Sequence, residues 1–557
     1  MDKKSNRLLY IFLTILTLIN LIQSGITELI FDEAYYWYLS TEIDWGFFDH
    51  PPFIPAMIHL GVQLFDSELG VRFFAPFMHS ASILLLWHLI DHPKKHRYLA
   101  HFIILVSSIG LFSAYGFLML PDTGLLFFAI LYLYAYRKFT MSPNLIAMLL
   151  LAISMTGILY SKYHGVLFIT LTIFANLRIL KHYRFWLACG IALALCTPHL
   201  MWLINNDFVS VKYHLIDRAN SHYRISFTLN YLLNALAVAG LAFPLLYYAF
   251  IKGRMRTPLE RALKWIGYGF LIFFLLSSFN RKTQAQWLSL IIPSLLYFGF
   301  IFLTYDEKFR KWLFKLNIAA VVILCYARLA LFIPTLSPIP YESHGNKAWV
   351  KNLSEQAGEL PVVFHNSYRD AAMYAFYSRN KVFSMNDVGF RQNQFDFNHA
   401  ADSLRHHRVV IMTETDLQHY DITYHRPFKN ATWKGWITDD FQYYGDLKIK
   451  VDENDFTEGI PENFSVSIFN PYPEDIPLKK LKIQGVTFDS NRKIMDTFAL
   501  KNKVEREFIP RTDSIVIKIR TKASNFSPEV NYFRPGLVHY NFNSGFEGNL
   551  VKVNTFE

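Results

Sequence analysis

The fold is decided at the start of the chain, which reads LLYIFLTILTLINLIQSGIT over residues 8–27 and ELIFDEAYYWYL over residues 28–39. The first part has no charged residue and has the length that a helix needs to cross a bilayer, roughly 20 residues. The second part places two acids and a run of aromatic residues directly after the span. This order predicts a membrane protein with polar chemistry at the membrane surface.

Uncharged runs of similar length recur up to about residue 332. From residue 98 to residue 136 the only Asp, Glu, Lys or Arg is Asp122. If the long runs are divided at Pro121 and at Lys162, the chain has about eleven transmembrane helices. The other uncharged runs cover residues 73–90, 139–161, 163–177, 185–206, 225–251, 265–280 and 283–305. The fold class predicted for this part is a polytopic α-helical membrane protein.

The distribution of basic residues predicts the orientation. With a cytoplasmic N-terminus, the inner segments hold twenty Lys and Arg residues and the outer segments hold six. Basic residues accumulate on the cytoplasmic side of membrane proteins. An odd number of spans then places the C-terminal region outside. The net charge of +11 is therefore interpreted as loop charge that flanks the spans, and nucleic acid is not expected as a partner.

The chain changes character near Pro334, where three prolines follow within seven residues. We expect a transmembrane domain over residues 1–334 and a small α/β subdomain over residues 341–430. Residues 445–557 alternate apolar and polar side chains in short runs, which predicts a β-sandwich-like domain. The C-terminal part is thus expected to be a soluble α/β plus β-sandwich region.

The first loop, residues 30–70, is strongly acidic. It has no Lys or Arg and seven acids, which are Asp32, Glu33, Glu42, Asp44, Asp49, Asp66 and Glu68. A solvated acidic loop with an aromatic belt would explain this composition. Acids this close to hydrocarbon mark a functional site more often, and we favour that interpretation for Asp32 and Glu33.

Few charged residues accompany these acids on the same side. Asp122 stands alone between two spans, where it is either a helix N-cap or a site residue. The candidate phosphate ligands are Lys162, Arg218, Arg281 and Lys282. Contact with lipid headgroups is the alternative for each of these cations.

Several classes of chemistry are excluded by motif. The sequence has no Gly-rich phosphate loop, no His-Glu-x-x-His helix and no cysteine cluster. Nucleotide chemistry and a thiolate metal site are therefore not expected. An acidic centre with scattered cations suits an anionic lipid substrate and a general base.

Two motifs of the first loop carry a resemblance to a known family. They are Asp32-Glu33-Ala34-Tyr35-Tyr36-Trp37 and Phe47-Phe48-Asp49-His50-Pro51-Pro52. They resemble the GT-C membrane glycosyltransferases that include the protein O-mannosyltransferases and the lipid A aminoarabinose transferase. Weaker matches are Leu120-Pro121-Asp122, Ser161-Lys162-Tyr163, the segment Thr197-Pro198-His199-Leu200-Met201-Trp202, and Gln284-Ala285-Gln286-Trp287.

The resemblance implies a GT-C-like fold and a role for each motif residue. Asp32 would be the catalytic base, and Glu33 would orient it or bind the acceptor. His50 takes the position of a donor-phosphate ligand that is Lys in the aminoarabinose branch. Asp49 takes the position of a Glu that can contact a metal ion in that branch. Whether this protein uses a divalent metal is therefore left open. Arg218 resembles a second phosphate ligand.

The resemblance also implies the reaction and its place. A sugar would pass, with inversion, from a polyprenyl-phosphate donor to an envelope lipid, glycan or protein at the periplasmic face of a bacterial inner membrane. From their charge and position, Arg218 and Lys162 are predicted to hold the donor phosphate, with Arg281 and Lys282 as secondary candidates. Tyr35, Asp49 and Asp122 are predicted to contact the acceptor or to support the site. No nucleotide or redox cofactor is expected. A transporter or flippase of lipid-linked sugars, and a non-catalytic glycan-binding scaffold, are the alternatives.

Overall fold

The computed structural model describes residues 3–217, 223–426, 428, 430–503, 506–521, 526–544 and 546–553. The chain divides into two compact units, Met1–Asn346 and Lys347–Glu557. The first unit is helical and the second is rich in β-strands.

The first unit consists of helices of very different length. Its α-helices are α1 (Lys3–Ile26), α2 (Phe31–Thr41), α3 (Phe53–Leu64), α4 (Glu68–Arg72), α5 (Ala75–Leu89), α6 (Leu99–Ser107), α7 (Gly110–Ala114), α8 (Pro121–Met141), α9 (Leu145–Ser161), α10 (Gly165–Ala175), α11 (Tyr183–Asn205), α12 (Val209–Lys212), α13 (Ile225–Val238), α14 (Phe243–Lys252), α15 (Pro258–Ser277), α16 (Ile292–Leu303) and α17 (Glu307–Ala330). Buried apolar side chains of α5, α8, α9 and α15 form one continuous core.

Within the described residues, five helical segments are long and apolar enough to cross a membrane, or six if one bent pair counts as a span. The predicted count of eleven is therefore not confirmed. Some long apolar runs break into shorter helices, as the run 98–136 does into α6, α7 and α8. In the bent pair, α13 and α14 meet at 103° beside Gly240, whose φ of +65° suits a residue without a side chain.

The second unit begins with a mixed sheet. Its elements are α18 (Asn346–Ala357), β1 (Val362–His365), α19 (Tyr368–Ser378), β2 (Val382–Met385), β3 (Val409–Thr413), β4 (Ile422–Arg426) and β5 (Ala431–Thr438). The strand order is β2-β1-β3-β5-β4, with β1 parallel to β2 and β3 and the remaining pairs antiparallel. The three parallel strands are buried on both faces, as their continuous apolar sequences require.

Two antiparallel sheets and a separate pair of short antiparallel strands follow. Their strands are β6 (Lys448–Val451), β7 (Asn463–Phe469), β8 (Ile476–Pro477), β9 (Lys482–Phe488), β10 (Ile494–Ala499), β11 (Lys501–Lys503), β12 (Phe508–Ile509), β13 (Ser514–Arg520), β14 (Tyr532–His539), β15 (Phe542–Asn543) and β16 (Val551–Lys552). One sheet has the order β10-β9-β14-β15, with β16 also paired to β14, and the other has the order β11-β13-β7-β6. The separate pair consists of β8 and β12. Alternate residues of both sheets, such as Ile517 and Phe533, enter one shared core.

Candidate functional site

The two acids of the first motif have different surroundings. Both lie in the first turn of α2, where the helix dipole favours negative charge. Asp32 is half-buried, whereas Glu33 is fully buried. The Glu33 carboxylate accepts hydrogen bonds from Arg72, at 2.8 Å from Nε and 2.5 Å from Nη2. It also accepts from the backbone N–H of Met119 at 3.1 Å. Glu33 is thus the centre of a buried ion pair.

The other hydrogen bonds of the Arg72 guanidinium go to backbone carbonyl oxygens at the end of the first span. Its Nη1 donates to the carbonyl oxygens of Ser24, at 3.0 Å, and Thr27, at 2.6 Å, and its Nη2 donates to that of Glu28, at 3.1 Å. The pair with Glu33 therefore ties α1, α2 and α4 together. Sequence reasoning missed Arg72, which is not among the six outer cations. A signal existed, because Arg72 is the only Lys or Arg between residues 8 and 93.

A second ion pair joins two loop motifs. The Nζ of Lys162 lies 2.9 Å and 2.8 Å from the two carboxylate oxygens of Asp122. Asp122 is the second residue of α8, so it is not the N-cap, which is Leu120. Asp32 lies close enough to Asp122 for the two carboxylates to repel each other. The structure therefore groups Asp32, Asp122 and Lys162, and the charge of Lys162 is already balanced.

Side chains of the second motif contact side chains of the first motif. Asp49 is fully buried and accepts a hydrogen bond from the Tyr35 hydroxyl at 3.2 Å. The Nε2 of His50 lies 3.0 Å from the Tyr36 hydroxyl and 3.8 Å from an Asp49 carboxylate oxygen. A protonated His50 would gain from the neighbouring carboxylate. The ring of His214 lies 6.4 Å from that of His50.

The end of α11 positions this loop, which explains the motif at residues 197–202. The His199 Nδ1 lies 2.6 Å from the Trp45 carbonyl oxygen. The Trp202 indole N–H donates to Asp44 at 2.6 Å. Gly46 lies against the Trp202 ring, and a Cβ at this position would fall 2.4 Å from a ring carbon. The close approach therefore requires glycine.

The remaining cations predicted from sequence lie in different surroundings. Arg281 donates from Nη1 to the His214 carbonyl oxygen at 3.3 Å, and the His214 Nε2 lies 2.9 Å from the Asp49 carbonyl oxygen. Arg281 is thus connected to the Asp49–His50 pair through His214. Lys282 is exposed, and both cations line a cavity of about 570 Å³. Arg218 lies outside the described residues.

The segment after α17 returns to the first loop. The Asn346 backbone N–H donates to the Glu28 carboxylate at 2.5 Å, and its side chain donates to the Leu29 carbonyl oxygen at 3.0 Å. Burial raises the pKa of Tyr341, and the negative charges of Glu342, Glu33 and Asp32 raise it further. Residues 341–346 therefore lie beside the acidic centre.

The first-loop acids do not form a metal-binding group in the described part of the chain. Three side chains with suitable spacing occur there only in the second unit, where they are His399, Asp402 and Asp446. The predicted metal neighbour, Asp49, instead contacts Tyr35 and His50.

Comparisons with known proteins agree with the predicted resemblance. Residues 49–202 match the family model described as dolichyl-phosphate-mannose-protein mannosyltransferase. The chain is 25% identical over 279 residues to the lipid A galacturonosyltransferase RgtD of Rhizobium johnstonii. That alignment covers 47% of this chain and 58% of the relative, so the chain spans somewhat more than half of the relative's length.

Two solved structures share the fold. They are ArnT from Cupriavidus metallidurans in the apo state and the same protein bound to undecaprenyl phosphate. The apo structure has a TM-score of 0.57 and 13% identity, and covers 78% of this chain and 98% of that chain. The lipid-bound structure has a TM-score of 0.57 and 15% identity, and covers 76% and 97%. This likeness concerns the fold.

The family match, the relative and the fold are all similar to GT-C glycosyltransferases, as the motifs of the first loop predict. Candidate spans and bacterial relatives indicate a multi-pass membrane protein with a helical N-terminal part and a β-rich C-terminal part. The resemblance stated from sequence is confirmed at this level.

Proposed function

We propose that the protein transfers a sugar from a polyprenyl-phosphate donor to an envelope acceptor at the periplasmic face of the inner membrane. The acceptor class is lipid A, another envelope glycan or a protein. The N-terminus would be cytoplasmic and the second unit periplasmic. The family model, the lipid A relative and the lipid-bound structure of ArnT support a lipid-linked donor and an envelope acceptor.

One observation carries the assignment of the catalytic base. Among the four acids that the sequence predicts at the site, Glu33, Asp49 and Asp122 are buried, and only Asp32 is partly exposed. A general base must reach the proton that it removes. Asp32 meets that condition, while the Arg72 pair gives Glu33 a positioning role.

The reaction is a single displacement. The acceptor hydroxyl gives its proton to the Asp32 carboxylate as its oxygen bonds to the anomeric carbon. The bond from that carbon to the phosphate oxygen breaks, and the polyprenyl phosphate leaves with the electron pair. Nearby cations stabilise the charge of the leaving group. His50, Arg281 and Arg218 are the proposed ligands, and Lys162 contributes less because Asp122 already balances its charge.

The test is transfer of labelled sugar from a polyprenyl-phosphate donor by the full-length protein in detergent. Asp32→Asn keeps the shape of the side chain and removes the base, so turnover should fall by about 10²–10⁴. Glu42→Gln is the matched control, because Glu42 is an exposed acid of the same loop. Full turnover of Asp32→Asn, with loss in Asp122→Asn, would assign the base to Asp122.

A further inference from the structure

The four-stranded sheet β11-β13-β7-β6 of the second unit has one face in the core and one face exposed. Along β13, Ile515, Ile517 and Ile519 are buried, while the residues between them are exposed. The strands β6 and β7 alternate in the same way. Because successive side chains of a strand point to opposite faces, every second residue of these strands lies on the outer face.

This outer face carries positive charge. We call it the basic face and define it by its five exposed cations, which are Lys448, Lys450, Lys501, Lys518 and Arg520. They lie close to one another, since Lys501 is opposite Arg520 in the pairing of β11 with β13. The other outward positions of β6, β7 and β13 are Asn, Ser, Val or Phe. None of the outward side chains that the structure describes on these strands is acidic.

The overall charge of the second unit does not explain this face. Residues 347–557 have 27 Lys and Arg residues and 27 Asp and Glu residues, so the unit has no net formal charge. A solvated surface usually mixes the two signs. Here one sheet face holds only cations. Such a separation of charge creates a local potential that attracts anions.

Most of this charge is not balanced by neighbouring acids. Arg520 donates to the Glu462 carboxylate, at 3.1 Å from Nε and 2.8 Å from Nη2. Among the described residues, no Asp or Glu forms an ion pair with any of the four lysines of the basic face. Asp452, the first acid after β6, caps the 3-10 turn that follows. Four positive charges are therefore available to a partner.

Protection of the sheet edges explains only part of the pattern. Lysine is common on edge strands because it prevents pairing with another sheet. That role suits Lys448, Lys450 and Lys501, since β6 and β11 are the two edges. It does not suit Lys518 and Arg520, because β13 is paired with a strand on each side. The basic face thus extends from the edges across an inner strand.

The side chains between the cations favour a flat partner. Ser465 lies opposite Lys518, and Ser467 lies opposite Val516, so the middle of the face has small side chains between long cationic ones. Sugar chains are usually held by aromatic rings, and the outward positions described on this face include one, Phe469. A layer of phospholipid headgroups needs only spaced cations. The chain also joins this unit to the helical unit, so the attachment would be intramolecular and a modest attraction suffices.

We propose that the basic face binds the anionic phospholipid surface of the membrane in which the helical unit lies. The lysine ammonium groups would contact headgroup phosphates, and each of them should strengthen the attachment about fivefold. The inference does not depend on the proposed transfer reaction. It gives the second unit a docking surface on the membrane.

The test places the full-length protein in nanodiscs of phosphatidylcholine alone, or of phosphatidylcholine mixed equally with phosphatidylglycerol. Acetylation of single lysines, measured by mass spectrometry, reports how accessible each one is. In the anionic discs, acetylation of Lys501 and Lys518 should slow by about fivefold or more, and high salt should remove this protection. Lys493, an exposed lysine that precedes β10, should react equally in both discs.

A matched pair of double variants tests whether the charge of the face causes the protection. Lys448→Gln with Lys450→Gln removes two of its charges and should restore acetylation of Lys501 in the anionic discs. Lys482→Gln with Lys493→Gln removes two exposed lysines from elsewhere in the same unit. This control should leave Lys501 protected.

Every other outcome overturns the inference. Equal and rapid acetylation of Lys501 in both discs would mean that the face stays in solvent. Protection in phosphatidylcholine alone would mean that something other than anionic lipid covers it. Protection by soluble dextran sulfate, but not by phosphatidylglycerol, would assign the face to an anionic polysaccharide. Protection that persists in Lys448→Gln with Lys450→Gln would show that these charges do not hold the unit to the membrane.

Discussion

Replacing Glu33 by Gln tests whether the second acid of the first motif acts in chemistry or in structure. The Glu33 carboxylate receives two hydrogen bonds from Arg72 and two more from the backbone N–H groups of Met119 and Ile30. Both side chains of the pair are fully buried. In Glu33→Gln the amide can accept fewer of these bonds, and the guanidinium stays buried without a counter-charge.

The expected cost follows from the burial of this pair. Removing one partner of a buried ion pair typically costs about 3–5 kcal/mol, because the other charge remains unpaired. The three backbone carbonyl oxygens that Arg72 also contacts reduce this cost, since they still accept its hydrogen bonds. We therefore expect a loss of stability near 3 kcal/mol, and a similar loss for Arg72→Gln.

Tryptophan fluorescence during thermal unfolding provides the assay, because the chain has 11 Trp residues. Glu33→Gln and Arg72→Gln should lower the unfolding midpoint, whereas Asp32→Asn should leave it unchanged while transfer is lost. A double variant should cost clearly less than the sum of the two single changes. If Glu33→Gln kept its midpoint and lost transfer, Glu33 would take part in chemistry and the structural interpretation would be refuted.

Two further predictions concern other parts of the chain. Gly46→Ala should destabilise the protein by about 1–3 kcal/mol in thermal unfolding, because its Cβ would meet the Trp202 ring. Gly190→Ala, which meets no atom within 4 Å, is the control, and equal midpoints for the two variants would contradict the contact. Burial raises the pKa of Asp396 and of Glu547 to about 7 each. The folded second unit therefore keeps protons that the unfolded chain has lost between about pH 4 and pH 7, and its free energy of unfolding should fall as the pH rises through this window. Asp396→Asn should make the free energy of unfolding depend less steeply on pH, as measured by hydrogen exchange at several pH values. An unchanged pH dependence would contradict a buried acid at this position.

The sequence alone determined the features that depend on local composition. Uncharged runs predicted a helical membrane part, and alternating apolar residues predicted the strands of the second unit, such as β13. The α/β subdomain expected over residues 341–430 contains α18, α19 and the strands β1 to β4. These features are local because the spacing of apolar residues within a segment indicates whether that segment forms a helix or a strand.

Only the tertiary structure decided which charges meet. Glu33 and Arg72 are 39 residues apart in the chain, and Asp122 and Lys162 are 40 residues apart. Such pairs depend on how whole helices pack, and no local pattern encodes that packing. For the same reason, adjacent acids such as Asp32 and Glu33 look equivalent in sequence, yet burial against Arg72 leaves only Asp32 partly exposed. The places where long apolar runs bend or break, as at residues 98–136 and between α13 and α14, were also beyond the sequence, because hydropathy does not show them.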